Sequence, residues 1–173
     1  MTVMITGGSK CGKSSFAERI FDNIKGRKIY LATMKPYGEE AEKAIERHRI
    51  LRVGKGFETI EKYTDISELT FDNMDSVLLE CIGNLLANEM FRNEEIELCA
   101  DKIADEIKQI STKVNNLVIV TNQVGSDGMD YQEGTELYIK EMGKLNQKIA
   151  SIADTVVECV YGIPVILKGE KPC

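Results

Sequence analysis

With 173 residues, 43% of them hydrophobic, the chain holds enough apolar material for one compact domain with a real core and too little length for a second full domain. A net charge of −6 and an isoelectric point near 5.0 leave no basic footprint for nucleic acid, so any positive charge that handles phosphates has to be local. The five cysteines, Cys11, Cys81, Cys99, Cys159 and Cys173, are scattered without a C-x-x-C pair and accompany a single histidine, which predicts reduced thiols in a cytoplasmic protein.

Met1 runs directly into the apolar stretch Val3-Met4-Ile5, which predicts a first strand with no signal peptide before it, and no apolar run approaches membrane-spanning length. Gly7-Gly8-Ser9-Lys10-Cys11-Gly12-Lys13-Ser14 follows at once and fits the G-x-x-x-x-G-K-[ST] phosphate loop without a mismatch. Glycines let successive backbone N–H groups turn inward toward phosphate oxygens, and the helix that follows adds the positive end of its dipole. Lys13 then reaches the β- and γ-phosphates, and the Ser14 hydroxyl ligates the Mg²⁺ that bridges them. Ser15 completes the nucleotide-binding candidates of this segment. The bland alternative is a Gly-rich strand-to-helix turn that binds nothing.

Phe16, Ala17, Ile20, Phe21 and Ile24 recur at helical spacing, and Gly26 sits where a C-terminal cap belongs. Lys28 to Thr33 reads as the second strand, and Pro36 to Gly38 marks a turn. A charged helix is predicted from Glu39 to about Leu51, with Ala41, Ala44, Ile45 and His48 near one face, and Gly54 and Gly56 break it. Phe57 to Ile60 reads as a short strand. Ser76 to Cys81 is a stronger one, an unbroken apolar run that ends in Glu80, so it predicts a strand buried on both faces with a carboxylate at its C-terminal edge. Glu80 thereby occupies the Walker-B position, where it holds Mg²⁺ through a water or positions a nucleophile; the alternative is a strand-end glutamate facing solvent.

A long helix is predicted over Asn93 to Lys113, with Ile96, Cys99, Ile103, Ile107 and Ile110 as a core stripe. Leu117 to Thr121 is another buried strand and delivers Thr121-Asn122-Gln123 to the edge that carries the phosphate loop. Val124 to Gly134, rich in Gly, Asp and Ser, reads as a mobile loop over the site. Met142, Leu145, Ile149 and Ile152 mark a further helix. Two strands follow, Thr155 to Val160 and Pro164 to Leu167, joined by a turn at Gly162-Ile163-Pro164 tight enough for a hairpin and an antiparallel edge. The alternation predicts an α/β fold of P-loop NTPase type over residues 1–173, a mostly parallel sheet flanked by helices.

His48 sits in Arg47-His48-Arg49-Ile50-Leu51-Arg52. A neutral imidazole is a competent nucleophile toward phosphorus, and flanking arginines suit phosphate oxygens and developing charge. That combination fits covalent nucleotidyl transfer. Spacing alone favours an ordinary histidine on a basic helix face.

Ile5-Thr6-Gly7-Gly8, Tyr30-Leu31-Ala32-Thr33, Arg47-His48-Arg49 with Arg52, and Val77-Leu78-Leu79-Glu80-Cys81 come in a telling order. Val120-Thr121-Asn122-Gln123-Val124-Gly125, Gly143-Lys144-Leu145-Asn146-Gln147, Ala153-Asp154 and Gly162-Ile163-Pro164 follow. Together, over nearly the whole chain, they resemble the bifunctional adenosylcobinamide kinase and adenosylcobinamide-phosphate guanylyltransferase family of cobalamin biosynthesis. The resemblance implies two steps. The terminal phosphate of ATP or GTP passes to the aminopropanol hydroxyl of the corrinoid; GTP then gives its GMP portion to His48, and the cobinamide phosphate takes it on. It also implies phosphate contacts from Arg49 and Arg52 ahead of Arg47, and a homotrimer with substrate sites between subunits. Departures from the family pattern are Glu80 for an aspartate, Gln123 for a glutamate, Val53 for a proline, Phe57 for a tryptophan, an atypical Ser126 to Asp130, and Tyr138-Ile139-Lys140-Glu141 without arginine. The other readings are a single-activity P-loop small-molecule kinase, a guanylyltransferase alone, and a GTP-binding regulatory protein; Thr121-Asn122-Gln123-Val124 is not the Asn-Lys-x-Asp guanine-reading motif and no D-x-x-G follows Glu80, which weighs against the last.

Overall fold

The structure, a computed structural model, describes residues 1–125 and 128–172. Ser126, Asp127, Cys173 and the side chains of Glu40, Ala44 and Leu51 lie outside the described residues. The strands are β1 (Thr2–Thr6), β2 (Lys28–Ala32), β3 (Phe57–Glu61), β4 (Ser76–Glu80), β5 (Asn116–Val120), β6 (Thr155–Val160) and β7 (Ile163–Lys168). The helices are α1 (Lys13–Ile20), α2 (Gly38–Arg52), α3 (Ile82–Met90), α4 (Ala100–Lys113) and α5 (Glu133–Ile152), with a 3₁₀ turn at Ile66–Glu68.

The strands form one sheet in the order β3-β2-β4-β5-β1-β6-β7. Every pairing is parallel except β6 with β7. That last pair is the expected hairpin, but its turn lies earlier than Gly162-Ile163-Pro164, since Ile163 and Pro164 already pair within β7: Val160 and Ile163 face each other across Tyr161 and Gly162, both at positive φ (50° and 82°), the mirror-image turn whose twist matches antiparallel strands. The central strands are apolar throughout because both faces are covered. In β4, Val77 and Leu79 join one core and Leu78 the other.

Phe16, Ala17, Ile20 and Phe21 of the α1 segment pack on one face of the sheet. The opposite face is covered by Ile82, Leu85, Leu86 and Met90 of α3, Ile103, Ile107 and Ile110 of α4, and Met142, Leu145 and Ile149 of α5. Each such side chain contributes about 1.5–3 kcal/mol when fully withdrawn from water. In contrast, α2 makes only sparse contact with other elements.

Three expectations need correction. The helix foreseen from Asn93 begins only at Ala100; Ile96 lies ahead of it and is 40% exposed, so the stripe starts at Cys99. Helix α1 ends at Ile20 and not near Gly26, because Phe21 turns into the core and the chain continues through turns closed by Asp22 N–H to Arg19 O and Ile24 N–H to Phe21 O. Gly26, at φ 95°, serves the connection to β2. Finally, α3 was not foreseen, although Ile82, Leu85, Leu86 and Met90 stand at helical spacing.

Topology places the site. Because β5 lies between β1 and β4, Val120 is the register partner of both Ile5 and Glu80. The phosphate-loop strand and the acid-bearing strand therefore end side by side across one strand, at the carboxyl edge where open α/β sheets bind ligands.

Candidate active site

The loop between β1 and α1 has the curl that its glycines permit. Gly7 (φ 140°) and Gly12 (φ 96°) take conformations that L side chains rarely adopt, and a Cβ on Gly7 would lie 2.6 Å from the Cys159 carbonyl oxygen. The β6–β7 turn braces the loop from behind, with the Gly162 N–H donating to Cys11 O at 2.9 Å. Lys13 is buried, and its Nζ donates to Gly7 O at 2.9 Å and to Gly8 O, which keeps the ammonium at the mouth of the loop.

Glu80, only 8% exposed, is the hub. Its Oε1 accepts the Ser14 hydroxyl, its Oε2 accepts Tyr30 O–H at 3.0 Å, and His48 Nδ1 lies 3.9 Å from Oε1. Burial, followed by the neighbouring carboxylate, pushes the Tyr30 phenol up, so Tyr30 remains a donor. Over its ring lies the Arg52 guanidinium, 3.4 Å from the centroid. Arg52 Nη1 and His48 Nδ1 are both buried without a hydrogen-bond partner among the described residues.

Helix α2 supplies these groups by its period. His48 and Arg52, four residues apart, share the face turned to β2 and β4, whereas Arg47 and Arg49 diverge by about 100° per residue. Arg47 lines a cleft of about 400 Å³ together with Ser9, Lys10, Cys11, Gly12, Lys13, Ser14, Ser15, His48, Glu80 and Asn122. Arg49 instead donates to Glu61 Oε1 at 3.0 Å, on the outer side of a smaller cavity of about 60 Å³ behind His48 that also holds Arg52 and Tyr30. The histidine thus forms part of the wall between the two spaces. Gly8 does not line the larger cleft; with Ser9, Lys10, Cys11 and Gly12 it lines a third space shared with Gln123 and Glu158.

Ser14 and Glu80, both expected as metal ligands, meet directly. Their hydroxyl and carboxylate oxygens beside a loop built for phosphate fit a hard cation such as Mg²⁺. Gln123 does not face this cleft; its Nε2 donates to Glu158 Oε1 at 2.8 Å. From α5, Asn146 Oδ1 accepts Thr121 O–H at 2.6 Å and its Nδ2 donates to Asn122 O at 3.2 Å, which fixes the end of β5 against the site. No described residue of Val124 to Gly134 lines any of these three spaces, and Glu133 and Gly134 already belong to α5. The role of Tyr30 was not foreseen; a polar tip within an otherwise buried apolar strand was the signal.

A family model described as cobinamide kinase / cobinamide phosphate guanyltransferase, CobU, matches residues 3–167. The chain belongs to that family. Membership makes it a bifunctional kinase and nucleotidyltransferase of cobalamin biosynthesis. It is 28% identical to the bifunctional adenosylcobalamin biosynthesis protein CobU of Escherichia coli (strain K12), over 97% of this chain and 100% of that one. It is 26% identical to the bifunctional adenosylcobalamin biosynthesis protein CobP of Pseudomonas aeruginosa, over 98% and 99% of the two chains. Among solved structures, an ATPase from the type III secretion system of pathogenic bacteria shares the fold with a TM-score of 0.54 at 13% identity, over 91% of this chain and 50% of that one. A protein from Pyrococcus horikoshii OT3 does so with a TM-score of 0.53 at 10% identity, over 98% and 87%. The fold of the CobU-family chain is accordingly that of P-loop NTPases. None of its described helices is long and apolar enough to cross a membrane.

Proposed function

We propose that the chain, as one nucleotide-binding domain, carries out two successive transfers in a single cleft: phosphorylation of adenosylcobinamide by ATP or GTP, then guanylylation of the product through a covalent intermediate on His48. The observation that carries this reading is that His48 and the phosphate loop line the same cleft, with Glu80 between them.

In the first transfer, the loop amides from Gly7 to Ser15 and the Lys13 ammonium hold the triphosphate and stabilise charge on the phosphoryl group in flight. Ser14 and Glu80 would hold Mg²⁺, which when bound would supply neutralisation of phosphate charge. The corrinoid hydroxyl oxygen forms the new P–O bond and loses its proton to solvent, and the bond from the γ-phosphorus to the β–γ bridging oxygen breaks with its electron pair leaving on the nucleoside diphosphate.

In the second transfer, the imidazole nitrogen attacks the α-phosphorus of GTP, a P–N bond forms, and the α–β bridging bond breaks with its electron pair leaving on pyrophosphate. An oxygen of the cobinamide phosphate then attacks the same phosphorus, and the P–N electrons return to the ring. His48 stands at the Ser14 end of the loop, which favours a pose with the departing pyrophosphate in the loop and the α-phosphate toward α2. From α2, Arg47 on the cleft wall and Arg52, with Nη1 unpartnered in the cavity behind His48, are the arginines available to that pose. Arg49 is the least available, being paired with Glu61.

The assembly we propose is a homotrimer in the cytoplasm, without nucleic-acid partners. Supporting an assembly is the outermost strand β7, on which Ile163, Val165, Ile166 and Leu167 are all exposed along an unpaired sheet edge. Product analysis with adenosylcobinamide tests the reading: label from γ-labelled nucleotide passes to the corrinoid, and label from α-labelled GTP follows. No transfer from γ-labelled nucleotide removes the kinase half.

A further inference from the structure

We infer that Glu80 is a positioning residue for His48: its carboxylate takes the Nδ1–H of the imidazole and so leaves Nε2 as the attacking nitrogen, once Ser14 has turned from Glu80 to the bound nucleotide. This rests on the covalent reading of the guanylyl step. Three observations carry it. His48 Nδ1 is buried and unpartnered among the described residues, a costly state for a polar atom beside a carboxylate. Glu80 Oε1 is the acceptor that stands 3.9 Å away, and it is engaged by the Ser14 hydroxyl. Glu80 itself cannot wander, because Tyr30 O–H holds its other oxygen at 3.0 Å and Arg52 covers the Tyr30 ring.

In the phosphate-loop reading, Ser14 is the residue that leaves Glu80 when nucleotide arrives, since its hydroxyl then turns to the cation, which Glu80 would hold only through a water, leaving Oε1 to the ring. Oε1 is thereby freed, and a small closure of α2, which is only sparsely packed, brings Nδ1–H within hydrogen-bond reach. The chemistry gains twice. A neutral imidazole with its proton on Nδ1 presents the Nε2 lone pair to phosphorus, and the tautomer is set by the bond the other nitrogen makes. When the P–N bond forms, the ring keeps that proton and becomes cationic, and the carboxylate stabilises the new charge where it appears. When the P–N bond breaks, the ring returns to the same neutral tautomer. Loop occupancy thus prepares the histidine through one shared oxygen.

The chain contains a single histidine, so its ring nitrogens can be read without overlap in protein labelled with ¹⁵N-histidine. The probe is Mg²⁺ with a GTP analogue carrying a methylene between the α- and β-phosphates. In the wild type, the analogue is expected to raise the Nδ1–H tautomer to the dominant form. Glu80→Ala is expected to abolish that shift and to slow labelling from α-labelled GTP by about 10²–10³-fold, the usual effect of losing one preorganised electrostatic partner. Glu80→Asp, with a shorter carboxylate, is expected to restore part of both. Should Glu80→Ala fail to fold, Tyr30→Phe, which frees Oε2, is expected to weaken the tautomer shift in the same direction. An analogue-induced shift that persists in Glu80→Ala, or in Tyr30→Phe at wild-type size, overturns the inference, as does a wild type that shows no shift. If the wild type takes up no label from α-labelled GTP, the covalent reading itself fails, and the tautomer measurement still decides the pairing.

Discussion

His48 Nδ1 and Glu80 Oε1 lie 3.9 Å apart, although they belong to elements that hardly touch elsewhere. The basic segment of α2, remote in sequence from the phosphate loop, therefore already faces the oxygen that receives the Ser14 hydroxyl. The histidine and the phosphate loop line one cleft.

Arg52 is the arginine whose removal should separate the two transfers. Its guanidinium carbon lies 3.4 Å over the Tyr30 ring with Nη1 unpartnered among the described residues, and a lysine ammonium has no planar fork to offer both contacts. Arg52→Lys is expected to lower guanylylation, followed with α-labelled GTP, by about 10²-fold, as for loss of one transition-state donor. The γ-phosphoryl transfer is expected to fall by much less. Equal losses in both would mean that Arg52 serves only to hold Tyr30 and Glu80.

Gly7→Ala should damage the loop before any chemistry is considered. The added Cβ would meet Cys159 O at 2.6 Å and Cys11 Sγ at 2.8 Å, at φ 140°. Backbone strain of this kind costs about 1–3 kcal/mol. For a domain of this size that lowers the melting temperature by roughly 2–4 °C per kcal/mol. Thermal unfolding measures it, and Gly8→Ala, where nothing stands within 4 Å of the added Cβ, is the contrasting variant expected to melt close to wild type.

On the face of the sheet opposite α1, Asp101 of α4 pairs with Lys144 and Lys148 of α5. Hydrogen bonds from Lys144, then Lys148, hold its carboxyl well down, at about 2. A folded value below the unfolded one, about 3.9, gives stability that is fully present above the unfolded value and lost as pH falls toward the folded one. Asp101→Asn is therefore expected to melt slightly below wild type at pH 6, with the difference shrinking below about pH 4 and the last of it lost as pH falls through about 2. Both partners are exposed, so high salt should erase the difference as well.

Much of this was legible in the sequence because the signals were local. The phosphate loop announced its strand and its helix, and the unbroken apolar run into Glu80 announced a central strand. Tyr161-Gly162 turned out to make the hairpin turn that the short spacing required. What was hidden depends on distant pairing. The insertion of β5 between β1 and β4 follows from no residue of any one of them, yet it brings Ser14 and Glu80 together. Helix α3 escaped because its apolar residues follow directly on a buried strand, and a short apolar run does not declare its period. Ile96 misled for the opposite reason, since it falls in phase with α4 but lies in the turns before it. The place of Arg47 on the cleft and Arg49 off it is a matter of helix rotation, fixed only when His48 and Arg52 face Tyr30 and Glu80.

The central claim is the covalent bond to His48, and the direct measurement is the label left on protein incubated with Mg²⁺ and GTP labelled at the α-phosphate. The expected result is acid-labile, base-stable label on the wild type, recovered on the peptide that contains His48 and absent from His48→Ala. Wild-type protein that takes up no label, or His48→Ala that still does, would contradict it.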